Sequence, residues 1–338
     1  MAFLLLHNYM DFIKILENNS RSERRKQPKK KKRSPLKKIG CGIGLVLIIL
    51  LIVVGGFIWK VYSDVTSTTD EMYQEVEKEE VRPEPVEVKN KESFSVLLLG
   101  VDTGDLGRTE QGRSDTMMVM TVNPNTNQTK IVSIPRDTYT EIIGRGTMDK
   151  INHAYAFGGV SMSVNTVQNL LDIPIDYYVE VNMQGVKDIV DALDGVQETP
   201  PISFDYEGYS FVEGQPTTLD GNAALAYSRM RYEDPNGDYG RQARQRQIIV
   251  AAMNKVASLS TIMNYQGVLG TLENNMQTNL TFDNMLSIFN NYRGAVSNVE
   301  QIQLTGTGTT IGEVYYAIPD EAELAEVSNL LQEQLELN

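Results

Sequence analysis

Apolar positions along this chain fall into one long run and several short ones. Ile39–Trp59 is 21 residues without a charge. At about 1.5 Å per residue, a helix of that length crosses a hydrocarbon core of roughly 30 Å, so one transmembrane helix is predicted. The short runs begin later. Val96-Leu-Leu-Leu-Gly-Val101 ends at Asp102, Met117-Met-Val-Met-Thr-Val122 follows a glycine-rich loop, and Ile131-Val-Ser-Ile134 is broken by Pro135. Continuous apolar runs of this length predict strands buried on both faces. After them the period becomes helical. Helices are predicted at Lys150–Phe157, ended by Gly158-Gly159, and at Ser161–Leu171, with Val164, Val167, Leu170 and Leu171 on one stripe. Others are predicted at Met183–Leu193, stopped by Gly195, from an Asp220 or Gly221 cap to Tyr227, and at Tyr239–Val256, Phe282–Tyr292 and Asp320–Leu335. Strands are predicted at Tyr177–Val181 and near Gln301–Leu304 and Val314–Ile318, a hairpin at Ile202–Val212, and a turn across Gly306–Gly312. Strands alternating with helices define the class as α/β.

Charge divides the chain sharply. Residues 1–38 hold twelve Lys/Arg and three Asp/Glu, a net of +9, which leaves −22 for the rest of a 338-residue chain whose total is −13. A basic segment directly before an apolar span stays on the cytoplasmic side, so the C-terminal body is expected outside the cell, anchored in the membrane by one pass. The run is long for the apolar region of a cleaved signal peptide, and Cys41 lies at its start, so a retained signal anchor is the preferred reading. Residues 60–92 are polar and acidic, with Pro83 and Pro85, and read as an extracellular linker or stalk. The folded domain is then 93–338. An acidic body makes a poor partner for nucleic acid. With Cys41 alone there is no disulfide framework and no cysteine metal site, and having only His7 and His153 argues against a multi-histidine centre.

Candidate chemistry collects in one stretch. Ala226-Tyr-Ser-Arg-Met-Arg-Tyr232 and the following Glu233–Arg246 hold Arg229, Arg231, Arg241, Arg244 and Arg246, with Asp234 and Asp238 between them. Guanidinium groups are planar forks of donors suited to phosphate oxygens, and this layout suits a loop that aims several of them at one polyanion. A solvated helix face is the blander alternative. Asp102, Arg113, Asp115, Arg136 and Asp137 lie next to strand ends, where open α/β sheets bind ligands. Asp102 and Asp115 are hard oxygen donors or helix caps, Arg136-Asp137 a ligand contact or a local ion pair, and Lys150 a phosphate contact or a solvated charge. His153 reads as a packed residue or a donor on a cleft wall. No Gly-x-Ser-x-Gly elbow and no Gly-x4-Gly-Lys-Ser/Thr loop is present.

Six blocks in order carry a family resemblance: Leu-Leu-Leu-Gly-Val-Asp102; Gly-Arg113-Ser-Asp115-Thr; Ile-Pro-Arg136-Asp137; Lys150-Ile-Asn-His-Ala-Tyr155; Ala-Tyr-Ser-Arg229-Met-Arg231; and Asp238-Tyr-Gly-Arg241-Gln-x-Arg-Gln245. Together they resemble the LytR-CpsA-Psr family over residues 93–256. The resemblance implies an α-β-α sandwich with a central mixed sheet. It also implies a phosphotransferase, assisted by Mg²⁺, that moves an undecaprenyl-pyrophosphate-linked glycopolymer (wall teichoic acid or capsular polysaccharide) onto peptidoglycan at the plasma membrane of a Gram-positive type envelope. Arg136, Arg229, Arg231, Gln245 and Lys150 would bind the substrate. Asp102, Arg113, Asp238 and Arg241 would take catalytic roles, and Asp102 with Asp115 would hold the metal. Asp102 or Asp238 would receive the acceptor's proton. The lipid would lie in an apolar tunnel near the Val96–Leu99 and Met117–Val122 strands. A lipid-pyrophosphate hydrolase and a non-catalytic polyanion-binding regulator remain alternatives. The chain departs from the family pattern after Asp102, where Thr103-Gly-Asp-Leu-Gly precedes Arg108.

Overall fold

A computed structural model describes residues 71–102, 112–256, 275–296 and 298–337. The basic tail, the predicted span at 39–59 and Arg108 lie outside the described residues. Among the described residues no helix is long and apolar enough to cross a membrane. Strands β1 (Phe94–Val101), β2 (Ser114–Asn123) and β3 (Gln128–Ser133) are followed by a hairpin of β4 (Tyr139–Ile142) and β5 (Thr147–Lys150). Helix α1 (His153–Leu171), strand β6 (Tyr177–Asn182) and helix α2 (Met183–Ala192) come next. Short strands β7 (Val196–Glu198), β8 (Phe204–Tyr206), β9 (Tyr209–Phe211) and β10 (Thr217–Leu219) lead to helices α3 (Gly221–Arg229) and α4 (Asp238–Val256). The chain ends through β11 (Met276–Thr278), α5 (Phe282–Asn291), α6 (Arg293–Val296), β12 (Val299–Gln303), the β13–β14 hairpin (Thr307–Ile311, Val314–Ile318) and α7 (Glu321–Gln334).

Six strands form the central sheet in the order β11-β6-β1-β2-β3-β12. β1 pairs in parallel with β6, and β3 with β12, while β2 and β11 run against their neighbours, so the sheet is mixed. Successive side chains of a strand point to opposite faces, and the burial of β1 follows that rule. Leu97, Leu99 and Val101 pack with Met117, Val119, Val132, Val164, Val167, Leu171 and Leu331, against α1 and α7. Phe94 and Val96 pack with Val122, Tyr292 and Ala295 on the other face, near α5 and α6. Fully burying each such side chain contributes about 1.5–3 kcal/mol. α4 crosses this second face near the ends of β3 and β12: Arg246 donates to Ser133 Oγ (2.6 Å) and Gln303 Oε1 (2.8 Å). The expected α-β-α arrangement around a mixed sheet is present.

Three local expectations change. The two helices predicted at 150–171 are one, kinked where Gly158 (φ −145°) and Gly159 (φ 63°) leave helical geometry, and Lys150 belongs to β5. The left-handed φ at 159 suits glycine, which has no Cβ to clash there. Gly306–Gly312 is mostly strand β13, with the turn at Gly312-Glu313. The acidic tract expected as a free stalk is laid on the body from Met72, which is buried, to Glu92. Lys78 Nζ donates to the Ile175 and Asp176 carbonyls, Arg82 Nε lies 2.9 Å from Asp176, and Val88 fills the core beside Tyr292. Composition showed the charges of this tract but not the carbonyls and carboxylate that receive them.

Candidate functional site

Strands β1, β3, β6 and β12 run the same way and end at one edge of the sheet, the edge where open α/β sheets bind ligands. β1 runs into Asp102 and β3 into Ile134-Pro135-Arg136. Asp115 sits at a register break, because Gly100 faces Thr116 while Val101 faces Ser114. Such a bulge re-aims a side chain at a sheet margin. The start of α4 reaches the same edge: the Tyr239 hydroxyl donates to Gly306 O (3.3 Å), and the Gly306 N–H donates back to that hydroxyl (3.1 Å).

A charged cluster forms there. Arg136 NH1 donates to Asp115 Oδ1 (2.5 Å), and its Nε is 3.8 Å from Asp137. Arg241 NH2 lies 2.7 Å from Asp238 Oδ1, and Arg231 Nε 3.6 Å from the same oxygen. Burial works to lower the Arg136 pKa, but the Asp115 bond and the charges of Asp115, Asp137 and Asp238 outweigh it, and the net shift is upward. For Arg241 burial dominates, reinforced by Arg136 and Arg231 against the pull of Asp238 and Asp115, and the shift is downward. The contact between Arg241 and Asp238 is short but lacks hydrogen-bond alignment. Arg241 Nε and NH2, Arg136 Nε, Asp238 Oδ1 and Gln245 Oε1 are all buried without a hydrogen-bond partner. Each such group costs about 1–3 kcal/mol in a folded protein. Open N–H forks on guanidiniums in one half-buried cluster suit an anion with several oxygens, such as a phosphate.

The remaining sequence candidates fall around this cluster. Gln245 lies one turn beyond Arg241 on α4. Asp102 Oδ1 accepts from the Arg113 backbone N–H (2.8 Å), while the Arg113 side chain is exposed. Arg229 is exposed and 3.6 Å from Glu207, so it is paired toward the β8–β9 turn. Lys150 Nζ donates to Asp137 Oδ1 (2.6 Å) and is held as part of the site wall. Arg244 is wholly buried: its Nε donates to Tyr227 O (3.0 Å), its NH1 and NH2 to Asp234 and Met230 O, and its guanidinium lies 5.1 Å from the Phe204 ring centroid. It satisfies carbonyls at the end of α3. The five arginines of the stretch therefore do not aim at one ligand; Arg244 and Arg246 brace the fold.

A second group adjoins the first. His153 Nδ1 is 2.8 Å from Asp149 Oδ2, and the Tyr316 hydroxyl is 3.4 Å from Asp149 Oδ1. Burial pushes the Asp149 carboxyl up, but His153, the Lys150 amide and Tyr316 outweigh it and hold it below the usual carboxylate range. The Asp149–His153 spacing of four was a legible signal; Tyr316, 163 positions beyond His153, left none. Apolar surface also sorts by face. Leu97, Leu99, Met117 and Val119 belong to the dry core, whereas Leu98, Met120, Val179, Met285 and Ile288 stand half-buried on the opposite face.

Among the described residues no group of three or more His, Cys, Asp or Glu is arranged around a common point. Asp102 and Asp115 stand at the same end of neighbouring strands. Two carboxylates suit Mg²⁺, which usually takes one or two and completes its octahedron with waters and substrate phosphates.

This is an α/β protein with a charged site at the carboxyl edge of a mixed sheet, in which several buried guanidinium donors lack hydrogen-bond partners. It belongs to the LytR_cpsA_psr family, which it matches over residues 58–333. It is 47% identical over 312 residues to the polyisoprenyl-teichoic acid–peptidoglycan teichoic acid transferase TagU of Bacillus subtilis (strain 168), covering 92% of this chain and 99% of that one. Identity to the TagU of Enterococcus faecalis (strain ATCC 700802 / V583) is 50% over 292 residues, covering 86% and 95%. The structure of TagT bound to LIIa-WTA superposes with a TM-score of 0.66 at 36% identity, covering 77% of this chain and 97% of that one.

Proposed function

We propose that this chain transfers an anionic glycopolymer of the wall teichoic acid or capsular type from an undecaprenyl pyrophosphate carrier to peptidoglycan. The observation behind this reading is the set of buried guanidinium donors without aligned partners at the sheet edge. Arg136, Arg231 and Arg241 grip the pyrophosphate, and Gln245 adds a contact from the next turn of α4. Asp238 holds Arg231 and Arg241 in place, and Asp115 does the same for Arg136. The exposed Arg229 and Arg113 stand at the rim, where they meet the outer charges of the polymer. Phosphoryl transfer needs little covalent work from a protein, so positioning and charge stabilisation of the leaving phosphate supply the catalysis. Asp102 and Asp115 would hold Mg²⁺, which neutralises phosphate charge when bound. The lipid chain lies along the half-buried face of Leu98, Met120, Val179, Met285 and Ile288. In this reading the span at 39–59 anchors the chain in the cell membrane with its C-terminal domain outside.

The test uses full-length protein in detergent, a polyprenyl-pyrophosphate-linked polymer and purified peptidoglycan. Covalent polymer–peptidoglycan conjugate is expected, and it should disappear in Arg136→Ala. Free polymer without conjugate would identify a hydrolase instead, and polymer binding without turnover would identify a receptor.

A further inference from the structure

Every carboxylate of the arginine cluster is already engaged. Asp115 accepts from Arg136, and Asp238 meets Arg241 and Arg231 through one oxygen and accepts from Gln242 Nε2 (2.8 Å) through the other. Asp102 accepts from the Arg113 amide. The Asp149–His153–Tyr316 group is differently disposed. Asp149 takes the Nδ1 side of His153, so whenever the ring is neutral its proton sits on Nδ1 and its lone pair on Nε2. The group is joined to the cluster link by link. The Arg136 guanidinium neighbours Asp137, Asp137 accepts from Lys150, and Lys150 Nζ lies 5.8 Å from the Tyr316 ring centroid. The Asn152 N–H, one residue before His153, donates to the Arg136 carbonyl (3.3 Å). Tyr139 packs edge-on against Tyr316 with centroids 4.9 Å apart. His153, Asp149, Tyr139 and Tyr316 are all only partly buried. Tyrosine rings beside a carboxylate and an imidazole are suited to a sugar, which offers a flat apolar face and a rim of hydroxyls.

We propose that Asp149, His153 and Tyr316 form the acceptor half of the site, in which His153 takes the proton of an incoming carbohydrate hydroxyl. The inference rests on the transfer reading above. The hydroxyl oxygen bonds to the phosphorus attached to the polymer, and the bond from that phosphorus to the bridging oxygen breaks. The lipid monophosphate leaves with the electron pair, and the proton resides on His153 Nε2 before passing to solvent. Asp149 stabilises the imidazolium, and Tyr316 holds Asp149. The products are the phosphodiester conjugate, the lipid phosphate and one proton, which balances the step.

The test compares four single variants of the full-length chain, with a polyprenyl-pyrophosphate-linked disaccharide as donor and soluble peptidoglycan glycan strands as acceptor. His153→Gln should bind the donor as tightly as the parent protein and lose transfer by roughly 10²–10⁴-fold, the usual contribution of a general base. His153→Ala should lose the same and regain part of it when imidazole is added. Tyr316→Phe should raise the acceptor concentration needed for half-maximal rate and leave donor binding unchanged. Parent-like transfer in both His153 variants would overturn the proposal. Loss of donor binding in His153→Gln, with an unchanged melting temperature, would also overturn it by placing His153 on the phosphate side. Arg136→Ala separates this outcome from failure of the underlying reading: if it keeps full donor binding and transfer, the phosphate site itself is misassigned, whatever the histidine variants do.

Discussion

Arg241 and Arg244 stand three residues apart on α4, roughly 60° around the helix axis from one another, and their surroundings differ completely. Arg244 has no exposed surface and places all three nitrogens on Tyr227 O, Met230 O and Asp234. Arg241 keeps some exposure, sits against Asp238 without alignment, and leaves two nitrogens unsatisfied. A buried charge with every donor used is a structural fastening, since nothing remains to offer a ligand. A half-buried charge with donors left over is a destabilising arrangement within the protein alone, and an anionic ligand relieves it. The fastening also serves the site. By tying the end of α3 to Asp234 and α4, Arg244 sets where Arg231 and Asp238 stand.

Four substitutions separate these roles. Arg244→Met strands the Asp234 carboxylate in the interior and should lower stability by about 3–5 kcal/mol, read as a fall in the denaturation midpoint. Arg241→Ala should do the reverse. Transfer should drop by about 10²–10³-fold, the loss typical when one preorganised donor to a developing charge is removed, while the midpoint stays near that of the parent. A large fall in stability for Arg241→Ala would erase the distinction. Gly240→Ala comes next, because its new Cβ would lie 2.0 Å from Asp234 Oδ2 and force the partner of Arg244 aside. About 1–3 kcal/mol of destabilisation is expected from overpacking, measurable by the same unfolding curve. Arg229→Ala should be mildest: its exposed contact with Glu207 is worth at most about 1 kcal/mol, and transfer should fall far less than for Arg241→Ala.

Legibility from sequence varied with the range of the interaction. Strands β1 to β3 and helices α2, α4, α5 and α7 were readable because burial imposes a period on neighbouring residues. By sequence β13 resembles a turn, because Gly306, Gly308 and Gly312 are turn-type residues, yet its pairing is settled by Val314–Ile318 across the hairpin. The glutamates of residues 60–92 suit a solvated linker or stalk, yet Met72 and Val88 within that tract are buried by partners far along the chain. In the site, Arg136, Arg231, Arg241, Asp115 and Asp238 were legible and do come together. Arg244 and Arg246 looked like the same kind of residue. Only their partners, Asp234 and the α3 carbonyls for one and Ser133 and Gln303 for the other, mark them as braces.

Local pattern thus determined which segments are strands and helices, that the protein is α/β, and which charges stand at strand ends. Those outcomes follow from the spacing of residues near one another in the chain. The tertiary structure decided which arginines are spent on the fold and which are left open, that Tyr316 meets Asp149, and that Leu98 and Leu99 face different surroundings. A guanidinium has the same charge everywhere. Whether it fastens or binds depends on how many of its donors the folded chain satisfies.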